Sequence, residues 1–210
     1  MKLFVATHNA HKLREIGEIL PGFEICADDP DVEETADTFE GNALIKVRAI
    51  AARHAGAWSM ADDSGLEVEA LNGAPGVRSA RYAGEPASTP ANNALLLKNL
   101  TGVTNRAARF VCTVALVGPD GQEHVVRGEC PGRISTEASG AGGFGYDPLF
   151  VPAGFDQSFA DLGEVEKNKI SHRALALAQV KTLLAPPSVL NTYTQHLTFQ
   201  TFMTREEIEN

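Results

Sequence analysis

The chain has 210 residues, of which 43% are hydrophobic and 21% are charged, and its formal net charge is −9. This composition is ordinary for a globular protein, and the length predicts one domain, or one domain divided into two lobes. The excess of acidic residues argues against a protein that binds nucleic-acid polymers, which needs a basic surface. If the ligand is a polyphosphate, the same charge balance predicts that a divalent metal ion accompanies it.

Cysteine usage and hydropathy indicate a cellular compartment. Cys26, Cys112 and Cys130 are far apart, and no pair has the spacing of a zinc or redox motif. An odd number of cysteines gives no disulfide framework, which is typical of a reducing cytoplasm. The opening apolar run at 3–6 is too short for a signal peptide, and no run reaches the length of a transmembrane helix. The sequence therefore predicts a cytoplasmic protein that does not cross a membrane.

The chain opens with a predicted strand at 3–6, a polar turn at 7–12 and an amphipathic helix. This order favours phosphate binding, because a helix N-terminus presents backbone N–H groups to an anion and Lys12 adds a point charge. The alternative is that Thr7 and Asn9 only cap the helix. Many α/β proteins begin in this way, so the arrangement alone does not decide between the two.

The next part of the chain contains a predicted strand at 23–27, an acidic loop at 28–40 and a helix at 41–55. Lys46 and Arg53 fall away from the apolar face of this helix. The alternatives are contact with a phosphate and exposure to solvent. A charged stripe is usually the solvated face of a helix, so we expect both side chains to point into water.

Two adjacent carboxylates, Asp62 and Asp63, follow an apolar run and precede Ser64 and a glycine. This pattern predicts a strand that ends in a turn at 61–65, with a further strand at 66–71. Ligands of open α/β sheets bind where strands end, and successive strand residues point to opposite faces. We therefore expect one carboxylate to face a metal ion or a water molecule and the other to brace the turn. The alternative is that the segment is turn chemistry alone.

The second half of the chain alternates helices and strands. A Thr-Pro pair at 89–90 begins a helix, and β-rich runs at 108–117 and 122–130 predict a hairpin. Residues 155–168 are mixed and polar. Ser171 is the predicted cap of a last helix, whose apolar face includes Leu175, Ala178 and Leu183.

The glycine-rich segment at 139–148 contains the letters of a dinucleotide-binding motif, G-x-G-x-x-G. That motif requires a strand before it and a helix after it. No strand ends here, and Pro148 prevents a helix from starting directly afterwards, so we reject this interpretation. The segment instead predicts a loop that a ligand approaches closely, with Phe144 or Tyr146 stacked on a base. The alternative is that both rings fill the core.

Six motifs follow one another along the chain: THNAHK at 7–12, TFEGNA at 38–43, ADDSGL at 61–66, GAPGVRSARY at 73–82, GGFGYDP at 142–148 and SHR at 171–173. No single motif is specific. Together they make residues 1–185 closely resemble the inosine/xanthosine triphosphate pyrophosphatase family. Residues 186–210 lie beyond the family pattern and form an extension, for which a strand, a piece of dimer surface and a disordered tail all remain open.

The resemblance implies an elongated α/β fold in which a long mixed central sheet with flanking helices forms two lobes, with the nucleotide cleft between them. It also implies a homodimer. The implied reaction is Mg²⁺-dependent hydrolysis of aberrant purine nucleoside triphosphates (ITP, dITP and XTP) to the monophosphate and pyrophosphate. Such an enzyme keeps these bases out of DNA and RNA.

The resemblance also assigns residues. Asp63 matches the metal-binding carboxylate and general base, and Ser64 matches a substrate contact. The loop that holds the phosphates corresponds to Thr7, His8, Asn9, Ala10, His11 and Lys12. The segment that stacks on and borders the base corresponds to Phe144, Gly145, Tyr146 and Asp147, and the remaining nucleotide contacts to Lys167, His172 and Arg173. Our hypothesis is that His172 and Arg173 donate hydrogen bonds to the 6-keto oxygen of the base, which adenine lacks.

Two positions depart from the family pattern. The first loop usually has Gly where this chain has His8. Many members carry a metal-binding Glu where this chain has Gly41. Glu40, one residue earlier, is the predicted second metal ligand, although it is equally a simple acid at a helix start.

Two other functions compete with the pyrophosphatase. The first is a hydrolase that releases terminal phosphate or acts on pyrimidine nucleotides, which the His8 departure leaves open. The second is a non-catalytic nucleotide-binding regulator. A regulator would be expected to lack the carboxylate that activates water, yet Asp62 and Asp63 are both present.

Overall fold

The computed structural model describes residues 1–184, which fold into a mixed α/β structure. The elements in chain order are β1 (Lys2–Val5), α1 (Ala10–Ile19), β2 (Glu24–Ala27), α2 (Phe39–Ala51), β3 (Trp58–Val68), α3 (Thr89–Asn99), β4 (Ala107–Val117), β5 (Glu123–Ile134), β6 (Phe150–Pro152), α4 (Phe159–Ile170) and α5 (His172–Leu184). Two short 3₁₀ helices, Glu69–Leu71 and Gly76–Arg81, follow β3.

The sheet has six strands in the order β2-β1-β3-β4-β5-β6. β1 pairs in parallel with β2 and β3, whereas β3 to β6 pair antiparallel. The parallel β1–β2 pair needs a crossover, which α1 supplies, and the antiparallel β4–β5 pair is joined by the predicted hairpin turn. The predicted mixed α/β fold is confirmed.

Residues Met1–Val180 pack as one compact unit, which contains the whole sheet. The predicted extension at 186–210 lies outside the described residues. No helix within residues 1–184 is long and apolar enough to cross a membrane.

The predicted strand end at 61–65 is wrong. β3 continues through this segment, and its pairing with β4 runs unbroken from Ser59 to Val68. Gly65 serves packing rather than a turn, because a Cβ atom there would lie 2.5 Å from the carbonyl oxygen of Gly76. The glycine therefore lets a 3₁₀ helix lie directly against the strand.

Buried apolar residues gather on either side of the middle of β3. Near its beginning, the α2 side chains pack against the sheet in a cluster of Ala6, Ala43, Val47, Ile50, Ala61, Ala115 and Val117. Near its end, α3 and α4 contribute to a cluster of Leu66, Val68, Leu96, Leu100, Ala108, Phe110, Cys130, Ile134, Tyr146, Leu149, Phe150 and Phe159. Asp62, Asp63 and Ser64 lie between the two clusters, so polar residues occupy the middle of β3.

The last two described helices, α4 and α5, add to the sequence analysis and correct it in one respect. Residues 155–168, which are mixed and polar in sequence, contain most of α4, and Gly163 has a non-helical φ of 78° that interrupts the apolar spacing. In α5 the Ser171 cap is confirmed, since Ala174 N donates to its Oγ at 3.2 Å. The predicted apolar face of α5 is wrong: Leu175, Ala178 and Leu183 are exposed, and the buried stripe is Arg173, Ala176, Leu177 and Val180. Arg173 is charged but lies on the buried stripe of α5. A prediction that counts only apolar residues therefore places the buried face on the wrong side of the helix.

Candidate active site

A cavity of about 540 Å³ opens between the two buried clusters, a size typical of small-molecule sites. The predicted site residues converge on it from four elements and two loops. Those that line it are Thr7, His8, Asn9, His11, Lys12, Asp63, Ser64, Phe144, Gly145, Tyr146, Asp147, Lys167, His172 and Arg173. Ala10 and Glu40 do not.

The loop between β1 and α1 is held by its own side chains. Asn9 Oδ1 accepts from the backbone N–H groups of His11 (3.0 Å) and Lys12 (3.3 Å), and Thr7 Oγ1 accepts from Asn9 N (3.1 Å). Asn9 is therefore the cap of α1, whereas Thr7 holds the turn before the helix. The backbone N–H groups of His11 and Lys12, which were predicted to face an anion, donate to the Asn9 side chain instead. The loop also lines the cavity.

Asp62 lies beneath the cavity wall and is 2% exposed. Lys12 Nζ lies 2.9 Å and Arg173 Nη2 lies 3.3 Å from its Oδ2 atom. Burial alone would raise the pKa of Asp62, but Lys12 and Arg173 outweigh it and hold that pKa well below the ordinary value. Asp62 is therefore the carboxylate with the predicted structural role, although it holds Lys12 and Arg173 in place rather than a turn.

Asp63 faces the cavity, as expected from the alternation of a strand. Its Oδ2 atom accepts from Asn42 Nδ2 at 3.1 Å, and its Oδ1 atom lies 4.0 Å from Lys46 Nζ. Burial raises the pKa of Asp63 above the ordinary value, while Lys46 and Asn42 oppose the shift. The two neighbouring carboxylates therefore differ in orientation and in proton affinity.

The prediction that Lys46 points into water is wrong. Its Nζ atom donates to the backbone oxygen of Asp62 at 2.8 Å and lies 3.1 Å from Glu34 Oε1. Burial alone would lower the pKa of Lys46, but Asp62 and Asp63 raise it. Arg53 behaves as expected, at the surface beside Asp28.

The structure does not bring Glu40 to the cavity. It is exposed in the first turn of α2, where a carboxylate complements the helix terminus. Glu34, on the preceding loop, lines the cavity instead. Within residues 1–184, no group of three or more metal-binding side chains gathers at one point.

Lys167 organises the far end of the cavity. Its Nζ atom lies 2.7 Å from Asp147 Oδ2 and 3.1 Å from Glu15 Oε1, and 4.3 Å from the centre of the Phe144 ring. Asp147 Oδ2 also accepts from the backbone N–H of Phe144 at 2.8 Å. Burial raises the pKa of Asp147, and Lys167 opposes the shift. These contacts fix the glycine-rich loop to α4.

Arg173 is buried and joins three elements. It donates to Glu15 on α1, to Ser64 Oγ at 3.0 Å and to Asp62 Oδ2 at 3.3 Å. Burial alone would raise the pKa of Glu15, but Arg173 and Lys167 outweigh it and lower that pKa. Glu15 was not predicted, although it holds both Arg173 and Lys167.

His172 stacks on Phe110, with ring centroids 4.7 Å apart and planes 14° from parallel. Burial holds its pKa well below the ordinary value, and the nearby Arg173 and Lys167 add to the effect. The ring is therefore neutral at physiological pH. Its Nδ1 atom is buried without a partner among the described residues, while the ring as a whole lines the cavity.

The two aromatic rings of the glycine-rich loop differ. Tyr146 is buried in the core and donates its hydroxyl to the backbone oxygen of Ser79 at 2.8 Å, so the core-filling alternative holds for this ring. Phe144 is half-exposed on the cavity wall. Of the two, Phe144 is the ring available for stacking.

The fold and the cavity define the class: an α/β protein with a ligand cavity that combines lysines, buried carboxylates and an aromatic wall. The sequence profile of the Ham1 family matches residues 3–183, and the chain belongs to that family. A dITP/XTP pyrophosphatase from Porphyromonas gingivalis is 50% identical over 190 residues, which cover 87% of this chain and 97% of that protein. A dITP/XTP pyrophosphatase from Exiguobacterium is 48% identical over 193 residues, covering 89% and 98%. The predicted family is confirmed.

Solved structures agree with this assignment. The Ham1 protein of Staphylococcus aureus is 41% identical and superposes with a TM-score of 0.79, covering 88% of this chain and 98% of that chain. A nucleoside-triphosphatase / dITP/XTP pyrophosphatase from Mycobacterium abscessus is 45% identical with a TM-score of 0.70, covering 86% and 98%.

Proposed function

We propose that this protein is a Mg²⁺-dependent pyrophosphatase that hydrolyses ITP, dITP and XTP to the monophosphate and pyrophosphate, and so removes aberrant purine nucleotides from the precursor pool. The observation that carries the proposal is the position of Asp63, a cavity-facing carboxylate between a lysine-bearing loop and an aromatic wall. The two relatives that are named dITP/XTP pyrophosphatases and match almost end to end support the substrate class.

Asp63 is the general base in this proposal. Hydrolysis of a phosphoanhydride requires a water molecule held in line with the bond that breaks, with little covalent help from the protein. A carboxylate whose pKa is raised by burial accepts a proton more readily at neutral pH than an exposed one. Asn42, which donates to its Oδ2 atom, fixes the orientation of the carboxylate toward the cavity.

The carboxylates present fit a magnesium ion. Mg²⁺ keeps several waters and is usually bound through one or two carboxylates together with substrate phosphates, so a site need not contain three acidic side chains. Asp63 and Glu34 both line the cavity and both approach Lys46, which makes them the pair we assign to the ion. When bound, Mg²⁺ neutralises charge on the phosphate oxygens and polarises the water that attacks.

The lysines supply the remaining positive charge. Lys12, Lys46 and Lys167 line the cavity, and each is anchored by a carboxylate or a backbone oxygen. Anchored ammonium groups lose little further conformational entropy when a triphosphate arrives. We assign Lys12 and Lys46 to the phosphates, because both lie next to the aspartate pair of β3.

Base recognition falls to His172. The Nη atoms of Arg173 already donate to Glu15, Asp62 and Ser64, so its role in this proposal is to position them. Because Nδ1 of His172 is buried, we assign the other ring nitrogen, Nε2, as donor to the 6-keto oxygen. Adenine presents an amino group at that position and leaves the donor unpaired. Guanine carries the same keto group, so this contact alone does not discriminate against it.

Product analysis tests the proposed reaction. The purified protein is incubated with Mg²⁺ and, separately, ITP, XTP, GTP, ATP and UTP, and the products are resolved by anion-exchange chromatography. We expect monophosphate and pyrophosphate, from ITP and XTP far faster than from ATP. Diphosphate with inorganic phosphate would identify a different hydrolase on the same nucleotide site. Nucleotide binding without hydrolysis would identify a regulator.

We further propose that residues 1–185 are the catalytic domain and that the enzyme is a cytoplasmic homodimer. The match of the Ham1 profile to residues 3–183 supports the domain assignment. The three cysteines are free, which fits a reducing compartment. Sedimentation equilibrium measures the oligomeric state directly, and a molar mass near that of one chain would contradict the dimer.

A further inference from the structure

His11 and Phe144 face each other across the cavity, although the two residues belong to different parts of the substrate site. Their ring centroids are 5.2 Å apart and their planes are 19° from parallel. His11 belongs to the first turn of α1, beside the phosphate loop, and Phe144 belongs to the glycine-rich loop. We infer that His11 is the second wall of the base site, so that the purine stacks between His11 and Phe144. This inference rests on the proposed function.

Phe144 is the fixed wall of this slot. Its backbone N–H donates to Asp147 at 2.8 Å, and Lys167 lies 4.3 Å from the centre of its ring. The next residue, Gly145, has its carbonyl oxygen bound by Asn93 of α3 at 3.2 Å. Tyr146 then ties the loop to the 3₁₀ helix through Ser79. The backbone of the loop is therefore held from three sides, and the Phe144 ring itself contacts Lys167.

His11 is the movable wall. Asn9 caps its backbone N–H, so the position of its Cα atom is fixed. Its side chain is exposed and has no hydrogen bond or ion pair among the described residues. The neighbouring side chains of the loop differ: His8 binds Asp29 at 2.6 Å, and Lys12 binds Asp62 at 2.9 Å. Unlike His8 and Lys12, which bind carboxylates, His11 contacts its neighbour Phe144 by stacking of the two rings.

The ring spacing defines how a base enters. The observed separation of 5.2 Å is that of a directly stacked pair. A purine between two rings requires about 7 Å, which is twice the optimal contact distance between carbon atoms of about 3.5 Å. The two rings, which are already in stacking contact, must therefore move apart before a base can lie between them. Rotation of the exposed His11 side chain provides this opening, since such rotations occur in picoseconds to nanoseconds.

A two-sided stack also favours purines. Stacking on an aromatic ring depends on the area of the base and tolerates any substituent, so it selects for size rather than for the keto group. In this arrangement the stack between His11 and Phe144 selects purine over pyrimidine, and His172 reads the keto oxygen. The two contacts involve different parts of the base, its ring faces and its keto oxygen.

Calorimetric binding of two ligands tests the inference. Inosine monophosphate carries the base, and pyrophosphate carries only phosphates; each is titrated in the presence of Mg²⁺ into wild type, His11→Ala and His11→Phe. We expect His11→Ala to weaken binding of inosine monophosphate by about 5- to 160-fold, as loss of one base–aromatic stack does. Binding of pyrophosphate should change less than twofold. His11→Phe, which keeps a stacking face but loses the polar nitrogens, should restore nucleotide binding.

His124→Ala is the matched control. His124 also faces an aromatic ring, Trp58, with centroids 6.5 Å apart, but it does not line the cavity. This variant should bind both ligands as wild type does. The inference is overturned if His11→Ala weakens pyrophosphate as much as the nucleotide, because His11 would then be a phosphate contact. It is also overturned if His11→Ala leaves nucleotide binding unchanged, or if His11→Phe binds no better than His11→Ala.

The binding experiment on His11 and the product analysis test different claims, because binding of inosine monophosphate does not require hydrolysis. Nucleotide binding that depends on His11 in a protein that releases no pyrophosphate would support the slot and refute the reaction. Hydrolysis of ITP with nucleotide binding indifferent to His11 would support the reaction and refute the slot. A wild-type protein that binds no inosine nucleotide would overturn both.

Discussion

Asp62 and Asp63 are neighbours on β3, yet their pKa values are shifted in opposite directions. Asp62 lies beneath the cavity wall against Lys12 and Arg173, which lower its pKa, whereas burial raises that of Asp63, which lines the cavity and accepts from Asn42. The alternation of side chains along a strand produces this division, since it places Asp62 among cations and Asp63 in the cavity wall. These positions support a structural role for Asp62 and the proposed catalytic role for Asp63.

Replacement of Asp63 by Asn should abolish turnover while leaving nucleotide binding measurable. The amide cannot accept a proton from water, and loss of a general base typically costs 10²–10⁴-fold in rate, with loss of a metal ligand added here. Single-turnover assays with ITP and calorimetry with inosine monophosphate measure the two properties. Asp156→Asn, at an exposed carboxylate outside the cavity, is the control. Near-normal activity of Asp63→Asn would show that another group is the base.

Replacement of Asp62 by Asn should destabilise the protein at neutral pH. It leaves Lys12 and Arg173 without their shared carboxylate, and removing one partner of a buried ion pair costs about 3–5 kcal/mol. The pKa of Asp62 is lowered on folding, so its contribution is complete well above the unfolded value of about 3.9 and is lost as the pH falls through the folded value. The difference in free energy of unfolding between wild type and variant should therefore shrink below about pH 4.

Urea unfolding followed by circular dichroism at pH 7 and in steps down to pH 3 measures this difference. Asp120→Asn, in the hairpin turn, serves as the exposed control and should follow wild type. A constant difference between wild type and Asp62→Asn across the whole pH range would contradict the assignment of the lowered pKa to Asp62.

The residues that local sequence patterns alone found, and those that these patterns missed, differ in the range of their contacts. Phe144 and Asp147 lie in one short glycine-rich segment, and their mutual contact spans three residues. Lys46 reaches Asp62 across 16 residues, and Glu15 reaches Arg173 across 158. Periodicity assigns the buried and exposed faces of a helix from neighbours in sequence alone. It therefore predicts that a charged residue is solvated, even when the fold brings a distant carboxylate into contact with it.

The continuity of β3 was missed for a related reason. Asp-Asp-Ser-Gly is a turn composition, and local propensity favours a turn. In the structure the carboxylates are compensated by Lys12, Lys46 and Arg173 from three helices, and Gly65 admits a 3₁₀ helix. Tertiary contacts thus allow a strand where the local sequence argues against one.

Replacement of Lys46 by Met should shift the pH dependence of the site. Lys46 opposes the burial that raises the pKa of Asp63, so its loss should raise that pKa further. In metal-free protein, the ¹³C chemical shift of the Asp63 carboxyl group, assigned with Asp63→Asn, should titrate at higher pH in Lys46→Met than in wild type. Arg53→Met changes a surface cation of the 41–55 segment and should leave the midpoint unchanged. Equal midpoints in Lys46→Met and wild type would contradict the contact.

Replacement of His172 by Ala should reduce the preference for ITP over ATP. The neutral His172 is the donor assigned to the 6-keto oxygen, and a site built around such a donor can discriminate by up to about 10⁴-fold. The ratio of kcat/KM for the two nucleotides measures the effect. His124→Ala is again the control outside the cavity. An unchanged ratio in His172→Ala, with ITP still hydrolysed, would assign base discrimination elsewhere.

Glu34 and Glu40 provide a direct comparison of two carboxylates near the start of α2. Glu34 lines the cavity beside Lys46, whereas Glu40 is exposed in the first helical turn. Glu34→Gln should therefore raise the Mg²⁺ concentration for half-maximal activity by at least about tenfold, a loss typical even of residues behind metal ligands. Glu40→Gln should change it less than twofold. A Mg²⁺ titration of ITP hydrolysis at saturating nucleotide measures both variants, and the reverse ranking would return the metal role to Glu40, because only a side chain that reaches the ion can change its affinity so strongly.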